Sequence, residues 1–401
     1  MDNKHFNIWN KVCAALAFVV SAVTYLLTIE PTASFWDCGE FIASSYKLEV
    51  GHPPGNPVFQ LIARLFTLFS EGQGAAVAVN AMSAICSALT IFFLYLTIVF
   101  LVKRIVKREE DGSYALSSAI TIFASGLVGA LAYCFSDTFW FSAVEGEVYA
   151  MSSLFTAAVF WAMTKWYDQA DEPHSLRWIV LIAFLMGLSI GVHLLNLLTI
   201  PCLFFLFYFR KKEDGRYSFW QLAGVFLLSC VVLLLVMAFI QYLPKTAAFF
   251  DRIFVNGFHL PFNSGAAFFM VLLLLLCFVG IYLSWKKDKV WLNTVILCFT
   301  TLVIGFSIFS IVIIRSSVKT PTNEYQPDNP YTLVRYLGRE QYGSNPLIYG
   351  QTYDAAYELE DSWYWAPMGD RYIKARGQVH PVYDSKTKML FPRMWSSDER
   401  H

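Results

Sequence analysis

The sequence predicts an all-α, multi-pass membrane protein, and three observations carry that prediction. Of the 401 residues, 56% are hydrophobic and only 15% charged, with a mean hydropathy of +0.48, whereas soluble domains carry about 25% charged residues. The apolar residues fall into blocks close to the roughly 20 residues that a helix needs to cross the hydrocarbon layer; the alternating ten-residue segments of a membrane barrel are not seen. The 30 basic residues balance 30 acidic ones, yet the basic ones favour alternate loops. This balance excludes a nucleic-acid protein built on a basic surface. A 17% aromatic content excludes a disordered chain.

Nine spans are expected, near residues 12–29, 75–102, 116–135, 148–166, 178–193, 196–209, 219–243, 265–284 and 290–314. The fifth and sixth are short and read either as two half-depth helices or as one apolar hairpin. With the N-terminus inside, the inward segments hold fifteen Lys and Arg, and the outward short loops hold four: Lys47, Arg64, Lys245 and Arg252. Cationic residues remain on the cytoplasmic side, so the chain is expected N-in and C-out. Two domains follow: a membrane domain over 1–314 and a small mixed α/β outer tail over 315–401. Within the tail, Leu347–Tyr349 and Val379–Tyr383 read as strands and Tyr331–Tyr342 as a helix. Seven of the eight cysteines lie in apolar spans and only Cys38 in a loop, with no C-x-x-C pair. Neither a disulfide framework nor a zinc site is indicated.

The outer loop 30–74 is too long for a simple connector. Asp37, Glu40, Ser44 and Lys47 are spaced by three, four and three residues, which places them on one face of a helix. That helix must stop before Gly51–Pro57, where three prolines and two glycines fix a turn around His52. Val58–Glu71 reads as a second helix, with Gln60, Arg64, Thr67 and Glu71 as a polar stripe on an apolar cylinder, the pattern of a helix lying in the membrane interface. Acids kept against a membrane are expensive and default to function.

Other polar groups lie at comparable depth. Glu145 and Glu147 emerge in the second outer loop, where Glu147 suits either a helix N-terminus or the site. His193 and Asn196 mark the break between the two short spans, where half-helices can line a site or merely satisfy freed backbone. Arg315 follows the ninth span and suits a phosphate whose lipid tail lies in the bilayer. Outward acids beside a cation fit one chemistry: a sugar on a polyprenyl phosphate, whose phosphate leaves readily, attacked by a hydroxyl that needs a carboxylate base. One base and one phosphate clamp support direct, inverting displacement. No dense carboxylate–histidine ligand set is visible, so no metal is expected.

The run Trp36-Asp37-Cys38-Gly39-Glu40, followed by Gly51-His52-Pro53-Pro54-Gly55-Asn56-Pro57, resembles the signature of bacterial multi-pass proteins abundant in Bacteroidetes. That group is related to the eukaryotic transmembrane O-mannosyltransferases within the wider GT-C glycosyltransferases. Glu147-Val148-Tyr149 and Gly191–Asn196 resemble it as well, so the likeness spans about residues 1–320. It implies a GT-C-like helical bundle in a bacterial inner membrane, with its site on the periplasmic side. It also implies a polyprenyl-phosphate donor, often of mannose, and an acceptor that is a Ser or Thr hydroxyl of a periplasmic or secreted protein. Asp37 takes the base role with Glu40 as partner, and His52, Arg64, Glu147, His193, Asn196 and Arg315 are expected to contact substrate. Cys38 stands where a small residue such as Ser is expected. Members of the group run well beyond residue 401, so the chain reads as a shortened form. Two other classes compete: a transporter or flippase of polyprenyl-linked sugars, and a non-catalytic scaffold. A transporter favours polar breaks in two repeated halves, and no internal repeat is visible. A scaffold would tolerate alanine at Asp37, Glu40 and Arg315.

Overall fold

The structure, a computed structural model, describes residues 1–212, 215–342, 346, 348–352 and 354–392. The protein is a polytopic all-α membrane protein with a small strand-bearing tail, organised as two compact units. The first comprises residues 1–239 and 273–326, and the second 240–272 and 327–401. This division does not fall at 314/315, because residues 315–326 are tied into the first unit by the backbone. Val50 and Glu324 exchange amide–carbonyl bonds with Thr322 and Val50 across a parallel bridge.

In the first unit, α1 (Asn3–Leu27) starts at Asp2, whose side chain accepts the His5 amide. Two short helices follow, α2 (Cys38–Lys47) and α3 (Pro57–Thr67), and then α4 (Gly74–Val102), which packs against α1, α5 (Leu116–Cys134) and α7 (Val148–Gln169). A short α6 (Asp137–Ala143) precedes the Glu145–Glu147 turn. Tyr25 and Tyr95 are fully buried here, donating to the Cys134 carbonyl and to Asn10, so both of these phenol hydroxyls keep a partner.

α8 (Arg177–Ile190) has only 14 residues and ends in a 3₁₀ turn over Leu194–Thr199 that leads into α9 (Ile200–Lys211). α8 packs on α12 (Val290–Phe306), with backbones nearly touching. A Cβ on Gly187 would lie 2.4 Å from the Leu302 carbonyl oxygen, and one on Gly305 2.6 Å from the Leu188 nitrogen. Small residues permit this approach in a lipid-embedded interface. α13 (Ser310–Ser317) continues α12 after a 3₁₀ step.

Among the described residues, seven helices are long and apolar enough to cross a membrane, where nine spans were expected. The span expected at 148–166 is the helix α7, which is not among the seven. That at 178–193 is α8, stopped early by the break at Gly191. The sixth expected span counts among the seven only together with the 3₁₀ turn, as Leu194–Lys211.

Two long helices, α10 (Phe219–Phe258) and α11 (Ser264–Lys286), contribute their 240–258 and 264–272 portions to the second unit. There they join α14 (Pro330–Leu337), started by an Asn329 capping box, and four strands. β1 (Tyr349–Gln351) pairs antiparallel with β4 (Lys388–Leu390), and β2 (Tyr357–Met368) with β3 (Arg371–Tyr383). The helix expected at Tyr331–Tyr342 ends at Leu337 and resumes as a 3₁₀ turn over Glu340–Tyr342. The strand expected at Val379–Tyr383 is the end of β3. Of the one expected at Leu347–Tyr349, Leu347 lies outside the described residues and Tyr349 opens β1.

Candidate active site

The site is built on α2, an isolated ten-residue helix, too short to be stable without tertiary support. Its start is held by Cys38, fully buried, whose thiol donates to Glu145 at 3.8 Å. Burial pushes that thiol up to about 12, so Cys38 is inert packing. Leu48, in the left-handed region at φ 50°, ends the helix. Asp37 stands at the N-cap, just outside the helix, with its side chain 57% exposed. Preceding it, Trp36 also has positive φ and is 91% exposed.

Asp37 is the N-cap of α2, with helical backbone angles and a carbonyl that accepts the Phe41 amide, so Asp37 and Glu40 keep their expected relation, while Ser44 further along is buried and Lys47 is exposed. Ser44 accepts from Gln60 of α3 at 3.0 Å. The α3 stripe is accordingly turned inward: Gln60 and Thr67 are buried, and Leu65, Leu68 and Phe69 are exposed. α3 also stops at Thr67, before Glu71.

The turn at 51–57 folds back onto α2. Glu40 accepts the His52 amide at 2.6 Å and pairs with the His52 ring Nδ1 at 3.0 Å. The other ring nitrogen, Nε2, lies 3.8 Å from Asp37. The turn comes this close only because position 51 is glycine: a Cβ there would sit 2.5 Å from Glu40 Oε1. Burial pushes the Glu40 carboxyl up, but its bonds from His52 outweigh that and leave it below the usual value. The Glu40 hydrogen bond raises His52 against the opposing effect of burial, with Asp37 and Glu324 adding to the rise.

Three further acids surround this trio. Glu147 and Glu145 are 7% and 5% exposed. Glu147 caps α7 by accepting the Val148 amide, yet burial, aided by the charges of Asp37 and Glu145, raises it to about 7. Burial also raises Glu145 and Glu324, the latter with help from the Glu40 charge. The second outer loop is pinned to the first by the Glu30 amide, which donates to the Val144 carbonyl. Asn80 of α4 donates to the Glu30 and Thr32 carbonyls.

The remaining expected substrate contacts sit elsewhere. His193 caps the 3₁₀ turn by accepting the Leu195 amide, its ring edge-on to Tyr149 at 5.5 Å. Asn196 is fully buried and donates to Ser189 and the Met186 sulfur. Both therefore stabilise the break. Arg64 donates to the Tyr46 carbonyl, and Arg315 to the Leu48 and Lys47 carbonyls at 2.6 and 3.0 Å. Both guanidinia are thus engaged with the carbonyl end of α2. Sequence reasoning noted Glu145 in the second outer loop without giving it a role, and left out Glu324.

One donor atom each from Asp37, Glu40 and His52 lies within 4.8 Å of the others. This trio could bind a divalent cation, a ligand set that the twelve-residue gap between Glu40 and His52 conceals in the sequence. It also leaves one carboxylate, Asp37, exposed beside a braced imidazole, which suits proton abstraction from an incoming hydroxyl.

Comparison with known proteins gives a consistent likeness. A family model described as the protein O-mannosyl-transferase TMEM260 N-terminal domain matches residues 37–216, and one for a family of unknown function matches 343–401. The chain is 26% identical over 223 residues to the protein O-mannosyl-transferase tmem260 of Dictyostelium discoideum, covering 52% of this chain and 24% of that protein. It is 29% identical over 199 residues to TMEM260 of Mus musculus, covering 49% and 26%. The chain thus spans about a quarter of the length of the curated relatives it matches. No solved structure matches it significantly.

Proposed function

We propose that the chain forms the membrane part of a glycosyltransferase that moves a hexose, mannose in the first instance, from a polyprenyl-phosphate donor to a Ser or Thr hydroxyl of a protein. The single observation that carries this reading is Asp37, an exposed carboxylate at the start of α2 beside a histidine that Glu40 holds at two points. The names of the two relatives support a protein acceptor and a mannose donor.

The acceptor hydroxyl attacks the anomeric carbon as its proton passes to Asp37 Oδ2. The bond from that carbon to the phosphate oxygen breaks, and the electron pair leaves with the lipid phosphate, giving inversion in one displacement. Glu40 fixes the His52 ring, and the raised affinity of that ring for a proton favours positive charge beside Asp37, where the phosphate departs. Loop acids between membrane spans meet a donor whose tail is in the bilayer and whose sugar is at its surface. In a bacterial inner membrane this surface is the periplasmic one.

The test is transfer in lipid nanodiscs from radiolabelled polyprenyl-phosphate mannose to a Ser/Thr-rich peptide. Labelled peptide is expected with the native chain and none with Asp37→Asn. Full turnover by that variant would remove Asp37 as base, and label that leaves the lipid without reaching peptide would remove the protein acceptor.

A further inference from the structure

The carbonyl end of α2 is held as deliberately as its acid end. The last four carbonyls of a helix have no partner within it, and here the last two, Tyr46 and Lys47, and that of the C-cap Leu48 receive guanidinium N–H groups from two other helices. Arg64 comes from α3, its guanidinium 5.3 Å from the Tyr46 ring centroid. Arg315 comes from α13, 267 residues along the chain from Leu48. Positive charge at a helix C-terminus also complements the helix dipole. The same stretch is fastened once more, by the Val50–Asn323 bridge, and Asn323 in turn donates to the Ser316 carbonyl of α13.

We infer that Arg315, with Arg64 beside it, is a positioning residue for transfer: it clamps the C-terminal end of α2 and thereby sets where Asp37 and Glu40 meet His52. This rests on the reading of Asp37 as base. α2 is one rigid ten-residue rod with its acids at one end and the clamp at the other. Releasing the clamp lets the rod tilt or fray, and a displacement near 1 Å at the acids costs roughly 100-fold in rate. The role differs from the phosphate clamp that an outer-edge arginine suggests from sequence. A phosphate clamp acts on donor affinity and leaves α2 alone; a helix clamp acts on turnover and on α2.

Arg315→Ala separates the two. In nanodiscs, kcat is expected to fall roughly 10–100-fold with the donor KM within about twofold, and free guanidinium ion is expected to restore part of the loss. Arg315→Lys, which keeps the charge and loses the fork, should fall between. Hydrogen exchange of the native and Arg315→Ala chains is the readout independent of activity. Faster exchange is expected in peptides covering 38–50, with no change in α4 or α5. A donor KM that rises with unchanged exchange in 38–50 would overturn the proposal and make Arg315 a donor contact. If the native chain transfers no sugar, the function fails, while exchange still decides whether Arg315 holds α2.

Discussion

Two aspartates, each beside the start of a helix, show how differently this protein uses a carboxylate. Asp251, in the second unit, is fully buried and accepts from the Asn263, Gly265 and Ala266 amides and from the Tyr372 hydroxyl at 2.7 Å. It closes the N-terminus of α11, and Gly265 makes room for it, since a Cβ there would lie 2.5 Å from the Asp251 Cα. Asp37, in the first unit, is exposed, with the His52 ring 3.8 Å away. A carboxylate that accepts four bonds has no capacity left for chemistry; one with open lone pairs has. Donor count, more than burial or charge, separates the structural acid from the one proposed to react.

The sharpest way to break this contrast is to remove each charge. Asp37→Asn should lower transfer by roughly 10²–10⁴-fold while leaving thermal unfolding in detergent unchanged. An equal loss of stability would make Asp37 structural. Asp251→Ala should do the reverse, costing roughly 3–5 kcal/mol of stability by stranding its donors, read as a lowered unfolding midpoint. Tyr372→Phe removes a single bond to a charged group and should cost about 1.5–3 kcal/mol.

Protonation refines the comparison within the first unit. Glu147 titrates near 7 in the folded protein against 4.5 in the free side chain. Folding therefore opposes its ionisation, and stability should fall as pH rises from 4.5 to 7 and then level off. Glu147→Gln should remove that slope and gain about 1–3 kcal/mol at pH 8; a slope unchanged in the variant would assign it to another group. The Glu40–His52 pair has the smallest expected effect, about 1 kcal/mol. The lowered carboxyl stabilises above 4.5 and loses this as pH falls through its folded value. The raised imidazole stabilises below 6.5 and loses this as pH rises through its folded value. Their joint support is therefore greatest between 4.5 and 6.5, and His52→Gln should flatten both shoulders once Glu147 is also Gln.

The membrane helices were legible because apolar length is a local property. So was the interrupted loop, where Gly51–Pro57 forbids a continuous helix. The nearness of Asp37 to Glu40 was legible in their spacing, but that Asp37 caps α2 rather than lying within it was not, because periodicity does not mark where a helix begins. The bonds of Arg64 and Arg315 to the carbonyls of Tyr46 to Leu48 were not legible, because nothing in spacing brings residues so far apart in the chain to one helix end. Glu324 was invisible because it reaches the site through the pairing of Val50 with the segment 322–324, a contact between distant parts of the chain. The polar stripe of α3 was legible as a stripe; that it packs inward on α2 was not, because the partner Ser44 lies on another helix.

The missing side chain at Gly51 leaves the Glu40 carboxylate room to reach the His52 amide. A methyl there would meet only the far end of a flexible side chain, so the loop could keep its path while the carboxylate turned aside. Gly51→Ala is therefore expected to loosen the grip on the imidazole without unfolding the turn, a change confined to one hydrogen bond.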